Sequence, residues 1–296
     1  VNSPSFACQT AVHRAFPVNG LDLHALEWPG PGPGLLFLHG GSAHAHWFDH
    51  VIPPLVGRFH VVSLDQRGHG ESAWPSPPSY RTQDFASDID GVRAALGWES
   101  FVAIGHSMGG HNTLGYAAWY PERLRGFVIV DSRPSIPKER LAVLRQRGHR
   151  SLRPHPSADE AVATFRLVPR ETVADPALLA HLGRAGIVQR NGGWVYRFDP
   201  SSNHLREPAE TLSLLSRVRA PALIIRAELS PVLPAPLARQ LQEALPDAEV
   251  VVIPGAYHHV TLDAPAAVVA HLEAFLSRVL PRPDASITLT GEESPR

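Results

Sequence analysis

Ser107 stands in "AIGHSMGG", where Gly105-His106-Ser107-Met108-Gly109 has the spacing G-x-S-x-G. The motif follows the apolar run "FVAI", so it falls where a buried strand turns into a helix. In that context such a serine acts as a nucleophile. A turn this sharp forces the serine into strained backbone angles. Its flanking positions must be glycine, because a β-carbon there would collide with the adjoining strand and helix. The bland alternative is a tight glycine-rich packing turn. An attacking hydroxyl also needs two backbone N–H groups aimed at the developing oxyanion, each lowering the barrier by roughly 3–4 kcal/mol. Met108 follows the nucleophile and supplies one; "FLHGGS" offers Gly41 for the second, with Ser42 as the fallback. A phosphate-binding turn is the competing use of these glycines, but no G-K-[ST] or G-x-G-x-x-G pattern accompanies them. The base belongs after the last strand, where "VVIPGAYHHVTLDAP" holds His258 and His259. Only one can face Ser107; the reading takes His258, with His259 turned away.

These groups need a scaffold. Six apolar runs lack alternation and read as strands buried on both faces of a mostly parallel sheet: "GLLFLHG", "FHVVSLD", "SFVAIGHS", "RGFVIVD", "ALIIRA" and "EVVVIPG". A hairpin-like pair precedes them at the sheet edge. Helical spacing recurs at Phe85, Ile89, Val92 and Leu96 behind Asp84 as an N-cap, at Leu237, Leu241 and Leu245, and from Val268 to Leu276. The alternation makes this an α/β protein. It lapses between 134 and 207, an arginine-rich stretch with 12 Lys/Arg against 7 Asp/Glu. That stretch is expected to form a helical cap inserted in a core of 1–133 and 208–281. Its positive excess hints at anionic substrates, though such an excess is more often a solvated face. The polar end, 282–296, is expected to be disordered.

The chain has 296 residues, a formal net charge of −1 and 44% hydrophobic residues, a balance that gives no reason to expect a nucleic-acid or anionic-membrane partner. Cys8 is the only cysteine, which excludes an intramolecular disulfide. No apolar run reaches the roughly 18 residues of a membrane helix, and "VNSPSFACQTAVHRAF" lacks the pattern of a signal peptide. A cytoplasmic protein acting on a small molecule, without cofactor or metal, is therefore expected. His44, His46 and His50 suggest metal ligands only weakly, since no carboxylate or cysteine completes a set by sequence. Trp47, Phe48 and His106 are candidate pocket walls, with plain core packing the alternative for Trp47 and Phe48. Trp194, Tyr196 and Phe198 alternate as on a strand.

"LHGGS", "LDQRGHGES", "GHSMGG", "VIVDSRP" and "GAYHHVTLDAP" occur in the order of the landmarks of the α/β-hydrolase fold, which the chain resembles over about residues 10–280. It is similar to the esterases, lactonases and carbon–carbon bond hydrolases that carry a helical cap. The resemblance implies an eight-stranded sheet with its second strand antiparallel, and makes Asp65, Arg67 and Gly68 a bracing turn. It also implies a triad acid. The usual loop, "RAELSPVLP", puts Ser230 where that carboxylate would stand, so the reading moves the acid to Asp131 at the end of the preceding strand, with Glu228 as the rival. The expected activity is hydrolysis of a carboxylic ester or lactone through an acyl-enzyme. Carbon–carbon bond hydrolysis or perhydrolysis by the same residues is the alternative, and a non-catalytic receptor on this fold is the reading from another class.

Overall fold

The structure, a computed structural model, describes residues 11–148 and 153–280; Cys8 and the tail expected at 282–296 lie outside them. The hairpin-like pair and the six apolar runs become eight strands: β1 (Val12–Val18), β2 (Leu21–Trp28), β3 (Gly34–Leu38), β4 (His60–Leu64), β5 (Phe101–His106), β6 (Leu124–Val130), β7 (Ala222–Ala227) and β8 (Ala248–Ile253). They form one sheet in the order β1-β2-β4-β3-β5-β6-β7-β8. β2 runs antiparallel to both its neighbours, while β4, β3, β5, β6, β7 and β8 are parallel. The run of side chains in each central strand divides between two cores. Phe37, Val102, Ile104 and Val130 face one, with Leu272 and Phe275. Leu36, Ala103, Phe127 and Ile129 face the other, with Ile89, Leu114 and Leu241. Both faces are covered, which is why these strands show no alternation in sequence.

The covering helices are α1 (Thr82–Ala95), α2 (Met108–Trp119), α7 (Ala235–Ala244) and α9 (Pro265–Val279), with the short α8 (Val260–Asp263) between β8 and α9. Asp84 is not the N-cap expected of it. α1 starts earlier, Arg81 caps it, and Asp84 at the third helical position accepts the Arg81 amide at 2.9 Å. Among the described residues no helix is long and apolar enough to cross a membrane.

Between β6 and β7 the chain leaves the sheet and adds no strand to it. This excursion carries α3 (Lys138–Gly148), α4 (Ala158–Thr164), α5 (Pro176–Ala185) and the short α6 (Ser201–His204). It is not wholly helical: Ile187–Arg190 and Gly193–Tyr196 form an antiparallel hairpin. Asn191 and Gly192 turn it with φ of 49° and 78°, the backbone that an Asn-Gly pair favours in a two-residue turn. That dipeptide was the available sequence signal. Arg206–Glu207 then pairs with Tyr80–Arg81.

Candidate active site

The turn between β5 and α2 holds Ser107 at φ 53° and ψ −113°, a backbone that side-chain-bearing residues rarely adopt. The glycine requirement is visible in the neighbours. A β-carbon on Gly105 would lie 2.4 Å from Gly109 O, and one on Gly109 would lie 2.0 Å from Leu38 O. The Ser107 amide donates to Val130 O at 3.0 Å, and Ser132 Oγ donates to Ser107 O at 2.5 Å, so the turn is tied to the end of β6.

His258 follows β8 and places Nε2 2.9 Å from Ser107 Oγ. Its Nδ1 lies 2.8 Å from Asp131 Oδ2. Asp131, fully buried, follows β6 with φ 43°. Its Oδ2 also accepts from Ser230 Oγ at 2.5 Å, and its Oδ1 accepts from the Ala227 amide at 3.2 Å. The three groups expected to act together are therefore in hydrogen-bonded sequence. Glu228 is not among them: it is exposed, and its Oε2 takes the Gly255 amide at 2.8 Å.

His259 is turned from Ser107 and uses Nε2 to donate to Pro169 O at 3.0 Å. His106 donates from Nε2 to the His258 carbonyl at 2.9 Å, holding the backbone of the neighbouring imidazole. Since a carbonyl only accepts, both rings carry the proton on Nε2, and Nδ1 of each is buried without a hydrogen-bond partner among the described residues. Burial first, and the charge of nearby imidazoles second, hold His106 well below the usual histidine range and His259 at about 3. Both are neutral at ordinary pH.

Gly41 and Met108 meet at the cavity: a β-carbon on Gly41 would lie 3.9 Å from Met108 Sδ. Met108 opens α2, so its amide has no acceptor within the helix. Ser42 has φ 60° and its Oγ accepts from Asn203 Nδ2 at 3.1 Å, which engages it with the excursion. The loop is braced from below. Gln66 donates its amide to His39 Nε2 at 3.0 Å and its side-chain nitrogen to His39 O at 2.7 Å. Asp65 accepts the Ala45 amide at 2.6 Å, Arg67 forks onto Asp88 at 2.6 and 2.7 Å, and Gly68 packs its α-carbon against Tyr80. The turn at 65–68 thus supports the site without reaching it.

Trp47 lines the cavity and stacks on His106 with ring centroids 6.5 Å apart, whereas Phe48 is wholly core. Tyr196 and Phe198 also line it. The cavity encloses about 640 Å³ between the ends of the strands and the excursion, a volume suited to a small molecule.

Among the described residues, three groups of side chains have metal-like spacing. In one, a ring nitrogen from each of His106, His258 and His259 lies within 4.8 Å of the others. Another contains His13, His24 and Glu71. The third corrects the sequence reading of the 44–50 histidines, because the fold does complete a set there. Asp49 Oδ2 lies 3.0 Å from His46 Nδ1 and 2.7 Å from His181 Nε2. His181 arrives on α5, 132 residues away, so no local spacing announced it.

Residues 33–162 match the family described as alpha/beta hydrolase fold. The 2-(acetamidomethylene)succinate hydrolase of Mesorhizobium japonicum is 31% identical over 263 residues, covering 86% of this chain and 91% of that protein. The chain belongs to the α/β-hydrolase family. Residues 196–286 of this α/β hydrolase match a second description, TAP-like protein. A crystal structure of E-2-(acetamidomethylene)succinate hydrolase superimposes with a TM-score of 0.80 at 28% identity, covering 90% of this chain and 99% of that one. An esterase of Mycobacterium tuberculosis is 30% identical over 184 residues, 60% of each chain. Hydrolase activity is what these relatives share with the fold.

Proposed function

We propose that this α/β hydrolase is a serine hydrolase that cleaves a carboxylic ester or lactone through an acyl-enzyme. The carrying observation is the unbroken run from Ser107 Oγ through His258 to buried Asp131. Ser107 Oγ attacks the carbonyl carbon while His258 Nε2 takes its proton, and Asp131 stabilises the imidazolium through Nδ1–H. The carbonyl oxygen, now negative, accepts from the Met108 and Gly41 amides. The intermediate collapses as His258 returns the proton to the leaving alcohol oxygen, leaving the acyl group on Ser107. Water then gives a proton to His258 and attacks the acyl carbon; the carboxylic acid departs and Ser107 regains its proton. In a lactone the alcohol stays tethered to the acyl group.

On this reading residues 134–207 are a cap, and 1–133 with 208–281 are the catalytic core. The cap carries Phe165, Tyr196 and Asn203 to the cavity and sets which acyl and alcohol groups fit. A second reading is N-acyl cleavage, with His258 protonating a leaving nitrogen; the acetamido group in the Mesorhizobium japonicum relative's name favours it. A fluorophosphonate probe tests the shared chemistry. Prompt labelling of the wild type and none of Ser107→Ala is expected, and an unlabelled, folded wild type would return the chain to the class of receptors. A panel of esters, lactones, anilides and diketones then separates the substrates.

A further inference from the structure

The cavity wall is one-sided in charge. Arg133, Arg140, Arg166 and Arg206 line it, and no aspartate or glutamate does among the described residues. Three of these arginines have ordinary surroundings. Arg133 is half-buried and donates to Ser135 O and Val232 O, Arg166 donates to Ala163 O and Phe165 O, and Arg140 is only partly enclosed. Arg206 differs. It follows α6, it is 5% exposed, and among the described residues no carboxylate or carbonyl is hydrogen-bonded or ion-paired to its guanidinium.

An arginine almost never goes inside without a partner, because the lost hydration costs several kcal/mol. Here burial pushes the guanidinium down to about 10, so it stays charged at neutral pH. Its field reaches His111, which lies one helical turn along α2 from Ser107 and is held neutral by burial first and by that charge second. A cation in a cavity wall, enclosed and lacking a counter-charge, is half of an ion pair. A planar guanidinium matches a carboxylate with two parallel hydrogen bonds.

We infer that the substrate carries a carboxylate besides its scissile carbonyl, and that Arg206 is the residue that binds it. The inference rests on the reading of this cavity as the acyl-transfer site. Arg133 and Arg140 add to the attraction without needing contact, since two more cations with no anion between them raise the local anion concentration.

The test compares the 4-nitrophenyl half-esters of succinic, glutaric and adipic acids with their methyl-capped, neutral counterparts at fixed ionic strength. The wild type should favour at least one free acid by about tenfold or more in kcat/KM, mostly through KM. Arg206→Gln should bring that ratio to about one, and Arg206→Lys should recover part of it. A wild type with no preference, or a preference that survives Arg206→Gln, overturns the inference. If Arg206→Gln fails to fold, the wild type still decides. Glutarate should raise its Tm and slow fluorophosphonate labelling of Ser107, where pentane-1,5-diol does neither; loss of both effects overturns the inference. If labelling itself fails, the acyl-transfer reading falls, and the glutarate Tm shift reports on Arg206 alone.

Discussion

Two loops at the same edge of the sheet each begin with a carboxylate directly after a buried strand, and they treat it in opposite ways. After β6, Asp131 is fully buried and both its oxygens are engaged, by the Ala227 amide, Ser230 Oγ and His258 Nδ1. After β7, Glu228 is exposed and spends its carboxylate on the Gly255 amide. The difference comes from the backbone. Asp131 sits in the left-handed region, φ 43°, which aspartate tolerates better than most residues and which turns a short side chain back across the strand ends. Glu228 continues outward, pinned by its own amide to Ile253 O at 3.1 Å. The loop after β7 still contributes: Ser230 stands where the family's usual acid would be and donates to Asp131, one strand over. Position in the sheet, and not the presence of a carboxylate, decides which loop carries charge to the histidine.

Asp131→Asn should have the largest effect. The amide keeps the left-handed backbone accessible but cannot hold the imidazolium, and turnover should fall by about 10⁴-fold with the fold retained. Steady-state kinetics beside a Tm measurement would check this, and a near-normal rate would hand the acid back to the other loop.

The next effect is on stability. The buried end of the sheet is packed with neutral histidines: burial holds His39, His111 and His259 at about 3 and His44 and His69 at about 4, with His106 lower than its usual range. The unfolded chain takes up these protons below about 6.5 while the folded one does not, so stability is intact above that pH and is lost as pH falls toward 4. Each histidine contributes up to about 1.4 kcal/mol per pH unit in that window. His46 opposes the trend: although burial lowers it, the Asp49 carboxylate outweighs that and raises its pKa. Calorimetric Tm values should drop steeply between pH 7 and 5; a flat profile would mean that these rings ionise in place.

A relocation sharpens the comparison further. Combining Asp131→Asn with Ser230→Asp puts the carboxylate in the loop after β7, and should recover roughly 10-fold or more of the activity lost in Asp131→Asn alone, given that the pair is 2.5 Å apart. No recovery would mean that the β7 loop cannot present a charge to His258. The smallest effects are single changes on that loop. Ser230→Ala removes one hydrogen bond to the acid and should cost about 3- to 10-fold in kcat. Glu228→Gln should change kcat by less than about twofold and stability by under about 1 kcal/mol, as expected of an exposed brace.

Much of this was legible in the residues. Runs such as "FVAI" and "FVIV" declare strands buried on both faces, and glycines at 105 and 109 declare a turn with no room for side chains, because both features follow from local sterics and hydrophobic pattern. Ser107 and His258 could be named for the same reason: each lies at a strand end that the pattern locates. The hairpin at 187–196 was half visible in the alternation of Trp194 and Tyr196, and Asn191-Gly192 would have completed it. The Asp84 cap was misplaced by three positions because a carboxylate at the third helical residue satisfies the same first-turn amides.

The sequence alone determines the sheet, the sharp turn that holds Ser107 and the order of the candidate residues along the chain, since these depend on neighbours in sequence. Tertiary structure alone puts Asp131, and not Glu228, against an imidazole 127 residues away. It alone brought His181 to Asp49, and buried Arg206 with no counter-charge among the described residues, while the other arginines of the cavity wall are half-buried or exposed. A side chain's type gives its charge; only the packing of distant segments fixes whether water, a partner or neither meets that charge.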